Sequence, residues 1–432
     1  MRKEVRRDGG LRGLVGTMVH ESTRAADKLS ICILIQPTKV ASVAKSDCGN
    51  DEPAPAPGET GTVHEGYPAD GAREADAAVG GGRKTSRSRA AVAKDHDTAP
   101  TDRHALAYER ITGLARRTFN RHVLSEIGGF AGLFALDGER FPDAVMVAAT
   151  NGVGGKLKLA IELGLHSSIG VDLVNHCVND IAIQGATPLF FMDYFATGRV
   201  DPQVVQQVTS GLVDACKANG CALLGGETAE APWLYREGSY ELAGFMTGAV
   251  SRSRLLTGDG IRVGDCLLGL ASNGLHTTGY GSALKSLLET AGYRPEQYVN
   301  EIGDKVGAAM MRPHRSYLAP IRKLMEAEVA SGFAHITGGG LTESLPRILP
   351  RGVSAQIDLS AWEVPPLFAH LQRLGGVEME EMLRTYNMGI GLVAAVPPEH
   401  LKKAQQTLKR MNERWVVLGR VTRRAAQRVV YG

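Results

Sequence analysis

From Thr101 onward the chain alternates short β-branched runs with helical stripes, and the runs keep ending in glycine-rich polar turns. That alternation restricts the fold to the α/β (α+β) class, with helices layered on sheets. Asp143–Thr150, "DAVMVAAT", reads as a strand running into a glycine turn. Ser167–Ala186 follows with Ile169, Leu173, Cys177 and Ile181 at helical spacing, one apolar stripe. Pro188–Thr197 is the next strand. Asp201 then caps a helix with Pro202 in its first turn and Gly220 at its end. Cys221–Glu227 and Tyr240–Val250 are further strands, and polar and glycine residues cluster over Ser251–Asp265. A second α/β run opens at Asp265 with "DCLLGLAS". Helices are expected around Ser282–Thr290, Arg315–Ala327 and His400–Arg410, with closing strands "IGLVAAVP" and "WVVLGRV". The expected organisation is an N-terminal domain over 101–253 and a C-terminal domain over 254–432.

The preceding residues differ in kind. Ser46–Pro100 is built of Ala, Gly, Pro, Ser and charged residues with almost no large apolar side chains. Such a segment cannot bury enough surface to offset the entropy of ordering it, so residues 1–100 are expected to be a disordered extension. The apolar burst Ile31–Pro37 is too short and too late for a secretory signal.

Composition narrows the partners. With 49 Lys+Arg against 46 Asp+Glu the formal charge is +3, far from a nucleic-acid footprint, so no nucleic acid is expected as partner. No apolar run reaches the ~20 residues needed to span a bilayer, so no membrane is expected either. The six cysteines form no CxxC pair, which points to reduced thiols and a cytoplasmic protein.

Four segments join glycines to polar residues at strand ends: Thr150–Lys156, Gly225–Pro232, Ser272–Gly281 and His335–Glu343. Turns of this kind let backbone N–H groups approach an anion. None has the P-loop spacing, and no GxGxxG opens a helix, which disfavours a P-loop NTPase or a dinucleotide-dependent dehydrogenase. Asp172 and Asn179 lie seven apart on one helix face with Asp180 beside them. Asp193 sits within an apolar strand, and Glu227 and Glu230 follow a Gly-Gly turn. Hard oxygen donors suit Mg²⁺, although Asp172 also reads as a cap and Asp180 as a solvated helix face. His276, in a glycine-flanked turn, is a candidate general acid/base or phosphate contact. His335 reads equally as such a contact or as a structural residue. His166, His176 and His314 carry no second feature, and no His/Cys spacing matches a zinc site.

Taken together these segments resemble the phosphoribosylformylglycinamidine cyclo-ligase (AIR synthetase) family. The match runs from about Tyr108 to Val430, through "GVDLVNHCVNDIAIQGATPLFFMDYFATG", "CALLGGETAEAPWLY", "SNGLHTTGY", "AHITGGGLTESLPRILP" and "TYNMGIGLVAAVP". The resemblance implies an N-terminal α/β domain whose strands form a barrel across a homodimer, and a C-terminal α/β sandwich. It implies ATP and Mg²⁺ as cofactors and formylglycinamidine ribonucleotide as substrate. ATP activates the formyl oxygen as an iminophosphate, and the amidine nitrogen then closes the ring of aminoimidazole ribonucleotide, a step of purine biosynthesis. His276, Asp172 and Lys156 are then expected to be catalytic. Asn151, Gly152, Gly154, Lys156, Asn179, Asp193, Gly225, Gly226, Gly338, Gly339 and Gly340 are expected at the nucleotide, with Asp172, Asn151 and Glu227 at the metal. The family's first loop reads Asp-Gly-Val-Gly-Thr-Lys, whereas this chain has Asn151 for the acid and Gly155 for the hydroxyl. The family's usual segment before Tyr108, which closes over the nucleotide, has no match here. These departures motivate a second reading, a catalytically impaired paralog that keeps the fold as a binding or regulatory subunit.

Overall fold

The computed structural model describes residues 102–432, and the expectation for residues 1–100 lies outside them. The first half runs α1 (Asp102–Ala115), β1 (Ala144–Gly152), α2 (Lys156–Leu163), α3 (Ser167–Ala182), β2 (Thr187–Thr197), α4 (Pro202–Asn219), β3 (Ala222–Glu230) and β4 (Tyr240–Ser251). Its four strands lie in the order β1-β4-β2-β3, with β2 and β3 parallel and the other pairs antiparallel. Helices α3 and α4 pack together against this sheet. The stripe Ile169, Leu173, Cys177 and Ile181 of α3 is fully buried. The two helices approach so closely that a Cβ on Gly170 would lie 2.4 Å from the Val208 carbonyl oxygen, and one on Gly211 1.9 Å from that of Ser167. Only glycine allows that crossing. Asp201 accepts the Gln203 N–H as N-cap of α4, and Gly220 ends the helix in the left-handed region.

The second half contains β5 (Cys266–Ala271), α5 (Tyr280–Leu284), β6 (Tyr298–Val299), β7 (Asp304–Lys305), α6 (Val306–Met311), α7 (Leu318–Glu326), β8 (Gly332–His335) and α8 (Gly340–Ser344). It closes with β9 (Val353–Ile357), α9 (Pro366–Gly375), α10 (Met379–Thr385), β10 (Ile390–Val396), α11 (Leu401–Arg410), β11 (Trp415–Arg423) and β12 (Val429–Tyr431). Six of these strands form one sheet in the order β12-β9-β11-β5-β10-β8, antiparallel except for β9 and β12. Strand β10, between β5 and the edge strand β8, is buried along its whole length. The β6–β7 pair stands apart from it.

A polar seam joins the halves. Along α3, Asp172, Asn175 and Asn179 recur at intervals of three and four and therefore share one face. That face grips the backbone of residues 312–317, the link between α6 and α7. Asp172 accepts the His314 N–H at 2.5 Å, and Asn175 donates to the His314 carbonyl at 2.8 Å. Asn179 donates to the Arg315 carbonyl at 2.8 Å and accepts from the Tyr317 N–H at 2.7 Å.

Candidate active site

Three of the four glycine-rich segments converge on the second half of α3. The first loop brings Asn151, whose side-chain amide donates to Asp180 at 2.9 Å. The turn Ser272–Gly281 brings His276 and Thr277. The loop after β8 opens with His335, whose Nδ1 lies 2.8 Å from the other Asp180 oxygen. His176, one turn before Asp180 on α3, and His314 of the 312–317 link complete a cluster of four imidazoles. His314 stacks on His276 with ring centroids 4.2 Å apart and on His176 at 5.0 Å.

Burial governs the charge of this cluster. His276 and His314 are driven well below the usual histidine range by burial and by neighbouring cationic groups. Burial lowers His176 to about 4, with Asp180 opposing. These three rings are neutral at physiological pH. Burial also works against ionisation of Asp180, but hydrogen bonds from His335 and Asn151 outweigh it and hold the carboxyl well below its ordinary value. His276 takes a left-handed backbone, φ 60°, in its turn. Its Nε2 accepts the Asn273 N–H at 3.1 Å, while the buried Nδ1 has no hydrogen-bond partner. An orphaned buried nitrogen is costly unless something else engages it.

The expected catalytic pair Lys156 and Asp172 sits beneath this cluster, fully buried. The Lys156 ammonium spans both Asp172 oxygens at 2.9 and 2.7 Å and also donates to the Arg312 carbonyl at 2.8 Å. Burial pushes the lysine down and the aspartate up, each opposed by the other's charge. With its oxygens committed to Lys156 and the His314 amide, Asp172 fastens the two halves together. Asn179 does the same through its bonds to Arg315 and Tyr317. Gly155, where the family has a hydroxyl residue, packs against Tyr280: a Cβ there would lie 2.9 Å from the Tyr280 Cβ.

The remaining expected residues lie elsewhere. Asp193, Gly225, Gly226 and Glu227 line a cavity of about 380 Å³ bounded by β2, β3, α1 and residues 126–132. Burial raises the Asp193 carboxyl to about 7. Strand order places Glu227 on β3, three strand spacings from Asn151 on β1, roughly 14 Å at the usual spacing. The three expected metal residues, Asp172, Asn151 and Glu227, are therefore not gathered around one point. Gly152 and Gly154 flank the first loop beside Lys156. Gly338, Gly339 and Gly340 follow His335. Space is open around Gly338, whereas Gly340 is pressed against the Leu383 carbonyl and takes φ 54°. His176 and His314, which carried no second feature in the sequence, belong to the site, as does Asp180, one of the expected hard oxygen donors. The signal available was the four-residue spacing of His176 and Asp180 on an amphipathic helix.

Two α/β halves clasped through such a seam, with glycine loops converging on it, define the class. Residues 132–250 and 262–432 match the families described as "AIR synthase related protein", N-terminal and C-terminal domain. Among solved structures the fold is similar to thiamine-monophosphate kinase from Stenotrophomonas maltophilia (17% identity, TM-score 0.56, 74% of this chain and 94% of that one). It is also similar to the hydrogenase maturation protein HypE in complex with ATP (18%, 0.53, 75% and 90%). The curated relatives are closer. A phosphoribosylformylglycinamidine cyclo-ligase of Desulfitobacterium hafniense is 48% identical over 316 residues, 73% of this chain and 92% of its own. One of Alkaliphilus metalliredigens is 43% identical over 315 residues, 73% and 91%. The chain belongs to the phosphoribosylformylglycinamidine cyclo-ligase family. Nothing in these relationships supports the reading as an impaired paralog.

Proposed function

We propose that the protein catalyses the ATP-dependent closure of formylglycinamidine ribonucleotide to aminoimidazole ribonucleotide in purine biosynthesis. The observation that carries this is the convergence of three glycine-rich loops on one buried imidazole cluster, in a chain that matches cyclo-ligases over nine-tenths of their length. The formyl oxygen attacks the γ-phosphorus of ATP and ADP departs. The amidine nitrogen attacks the activated carbon, and phosphate leaves with the former formyl oxygen. This chemistry calls for positioning and for donors around the transferring phosphoryl group rather than for a covalent enzyme intermediate.

His276 is the group we assign to the reacting atoms, because its neutral ring carries a buried nitrogen without a protein partner. The Lys156–Asp172 pair positions the first loop, which with Gly338 and Gly339 of the loop after β8 would receive the phosphates. Mg²⁺ accompanies ATP and offsets its phosphate charge. Asp193, beside the β2–β3 cavity, and Glu227, on the neighbouring strand, stand apart from these phosphate loops and are not assigned to it. The test is ADP release by the full chain with MgATP. It should occur only when formylglycinamidine ribonucleotide is added; release indifferent to that substrate would contradict the assignment.

A homodimer is the second part of the reading. The face of the four-stranded sheet away from α3 and α4 exposes Met146, Tyr194 and Phe245, at 52, 40 and 48%. An apolar sheet face of this kind fits a second copy of the chain. Phe245→Glu should convert a dimer to a monomer in light scattering, and a wild-type monomer at micromolar concentration would contradict this. Among the described residues no helix is long and apolar enough to cross a membrane. Cys177, Cys216, Cys221 and Cys266 are free thiols, as a reducing compartment such as the cytoplasm keeps them.

A further inference from the structure

We infer that the turn Tyr386–Gly391, which leads into β10, is a brace between two glycine-rich loops, and that Asn387 and Gly391 are positioning residues for His276. The inference rests on the assignment of His276 to the reacting atoms.

Asn387 is fully buried and faces the turn Ser272–Gly281. Its amide donates to the Gly274 carbonyl at 2.8 Å. Its side-chain oxygen accepts the Ser272 hydroxyl at 2.9 Å and the Gly389 N–H at 2.8 Å. The Ser272 N–H in turn donates to the Gly389 carbonyl at 2.8 Å. Both lone pairs of the Asn387 oxygen and one of its N–H groups are thus spent on joining the two turns. Farther along, Gly279 lies so close to the Tyr386 ring that a Cβ there would overlap it.

The same short segment reaches the loop after β8. Gly340 is pressed against the carbonyls of Leu383 and Tyr386, and the Ile336 N–H donates to the Gly391 carbonyl at 2.9 Å. Gly391 stands at the register shift between β10 and β5. A Cβ there would lie 2.8 Å from Cε1 of His276 and would overlap the Tyr317 hydroxyl, so only glycine leaves the imidazole its place.

Backbone strain marks both sides of the brace. Met388, at φ 50°, and His276, at φ 60°, are non-glycine residues in the left-handed region. Such conformations persist only where surrounding contacts over-determine them. The Trp362 indole N–H holds the Met388 carbonyl at 2.9 Å, and Asn387 ties that turn to the one carrying His276. The outcome is a ring of fixed orientation. Its Nε2 accepts the Asn273 N–H, so the proton of the neutral imidazole stands on Nδ1.

The test reads the ring and the turnover separately. The full chain is labelled with ¹⁵N-histidine, and the His276 signals are assigned by their loss in His276→Gln. In the wild type they should show one neutral tautomer, protonated at Nδ1. Asn387→Ala should replace it with an exchanging mixture of tautomers and lower kcat about 100-fold, with KM for MgATP unchanged. Gly391→Ala should displace the ring signals in the same way. Ser272→Ala removes only the hydroxyl donor to Asn387; it should lower kcat about tenfold with the same change of signal, and serves if Asn387→Ala does not fold. Leu408→Ala, which opens a cavity on the buried face of α11, should lose stability yet keep both the ring signals and kcat. A wild type that shows the ring signals without turnover would contradict the cyclo-ligase reading, while the brace is decided by the ring signals of the variants. Unchanged His276 signals in Asn387→Ala and Ser272→Ala would overturn the brace, as would an equal loss of turnover in Leu408→Ala.

Discussion

Asn151 and Asp193 show how far a residue's role depends on what faces it. From the sequence, Asn151 is a weakened Mg²⁺ ligand, an oxygen donor that has lost its charge. In the folded chain its amide N–H groups matter more, because they hold one oxygen of Asp180 and touch the Cys177 sulfur at 3.5 Å. Asp193, an acid inside an apolar strand, is legible as exceptional, but its cavity is not, since α1 and residues 126–132 approach it from distant sequence. Its carboxyl, raised to about 7 by burial, has a thermodynamic consequence. Between about pH 4 and 7 the folded chain keeps a proton that the unfolded chain has released, so this contribution is present below pH 4 and lost as pH rises through 7. Asp193→Asn removes that loss. Its stability relative to wild type should rise by on the order of 2 kcal/mol from pH 4 to pH 8, discounted from ~1.4 kcal/mol per unit because the side chain is partly open to solvent. Thermal melts of both proteins at the two pH values measure it. A difference that does not change with pH would contradict the assignment.

At the scale of elements, periodicity carries far and long-range pairing does not. The helix over Ser167–Ala182, the capped helix from Pro202 and the strands β1 to β5, β10 and β11 all stand where apolar spacing and turn residues put them. Helices α1 and α2, strands β8, β9 and β12 and helices α9 and α10 are short, or lie between stronger signals, and are not singled out by the sequence. The larger surprise is the polar face of α3. Asp172 and Asn179 share a helix face, as their seven-residue spacing requires, yet that face is a clamp on the 312–317 link. Spacing identifies which residues look the same way and leaves open what they look at, because the partner arrives more than a hundred residues later. Asn179→Ala should remove three hydrogen bonds, to Arg315, Tyr317 and His335, and leave backbone groups of Arg315 and Tyr317 unpaired, a loss of about 2–3 kcal/mol. Chemical denaturation, with proteolysis at residues 312–317, checks this. A wild-type midpoint together with an uncut link would contradict the clamp.

For the whole molecule, the decisive arrangement is that loops from both α/β halves meet over α3. The four glycine-rich segments are visible along the chain, and three of them do converge, while Gly225–Pro232 turns to the cavity on the β2–β3 side. The imidazole cluster between the halves has no linear signature, since His176, His276, His314 and His335 come from four separate segments. If that junction carries out cyclisation, the formyl oxygen of the substrate must leave as part of phosphate. The direct measurement is turnover of formylglycinamidine ribonucleotide labelled with ¹⁸O in its formyl group, with MgATP and the full chain, followed by mass analysis of the phosphate. The account predicts one labelled oxygen in each phosphate released, with ADP and aminoimidazole ribonucleotide formed in equal amounts. Label recovered in water with unlabelled phosphate, or ADP formed without the imidazole product, would contradict it.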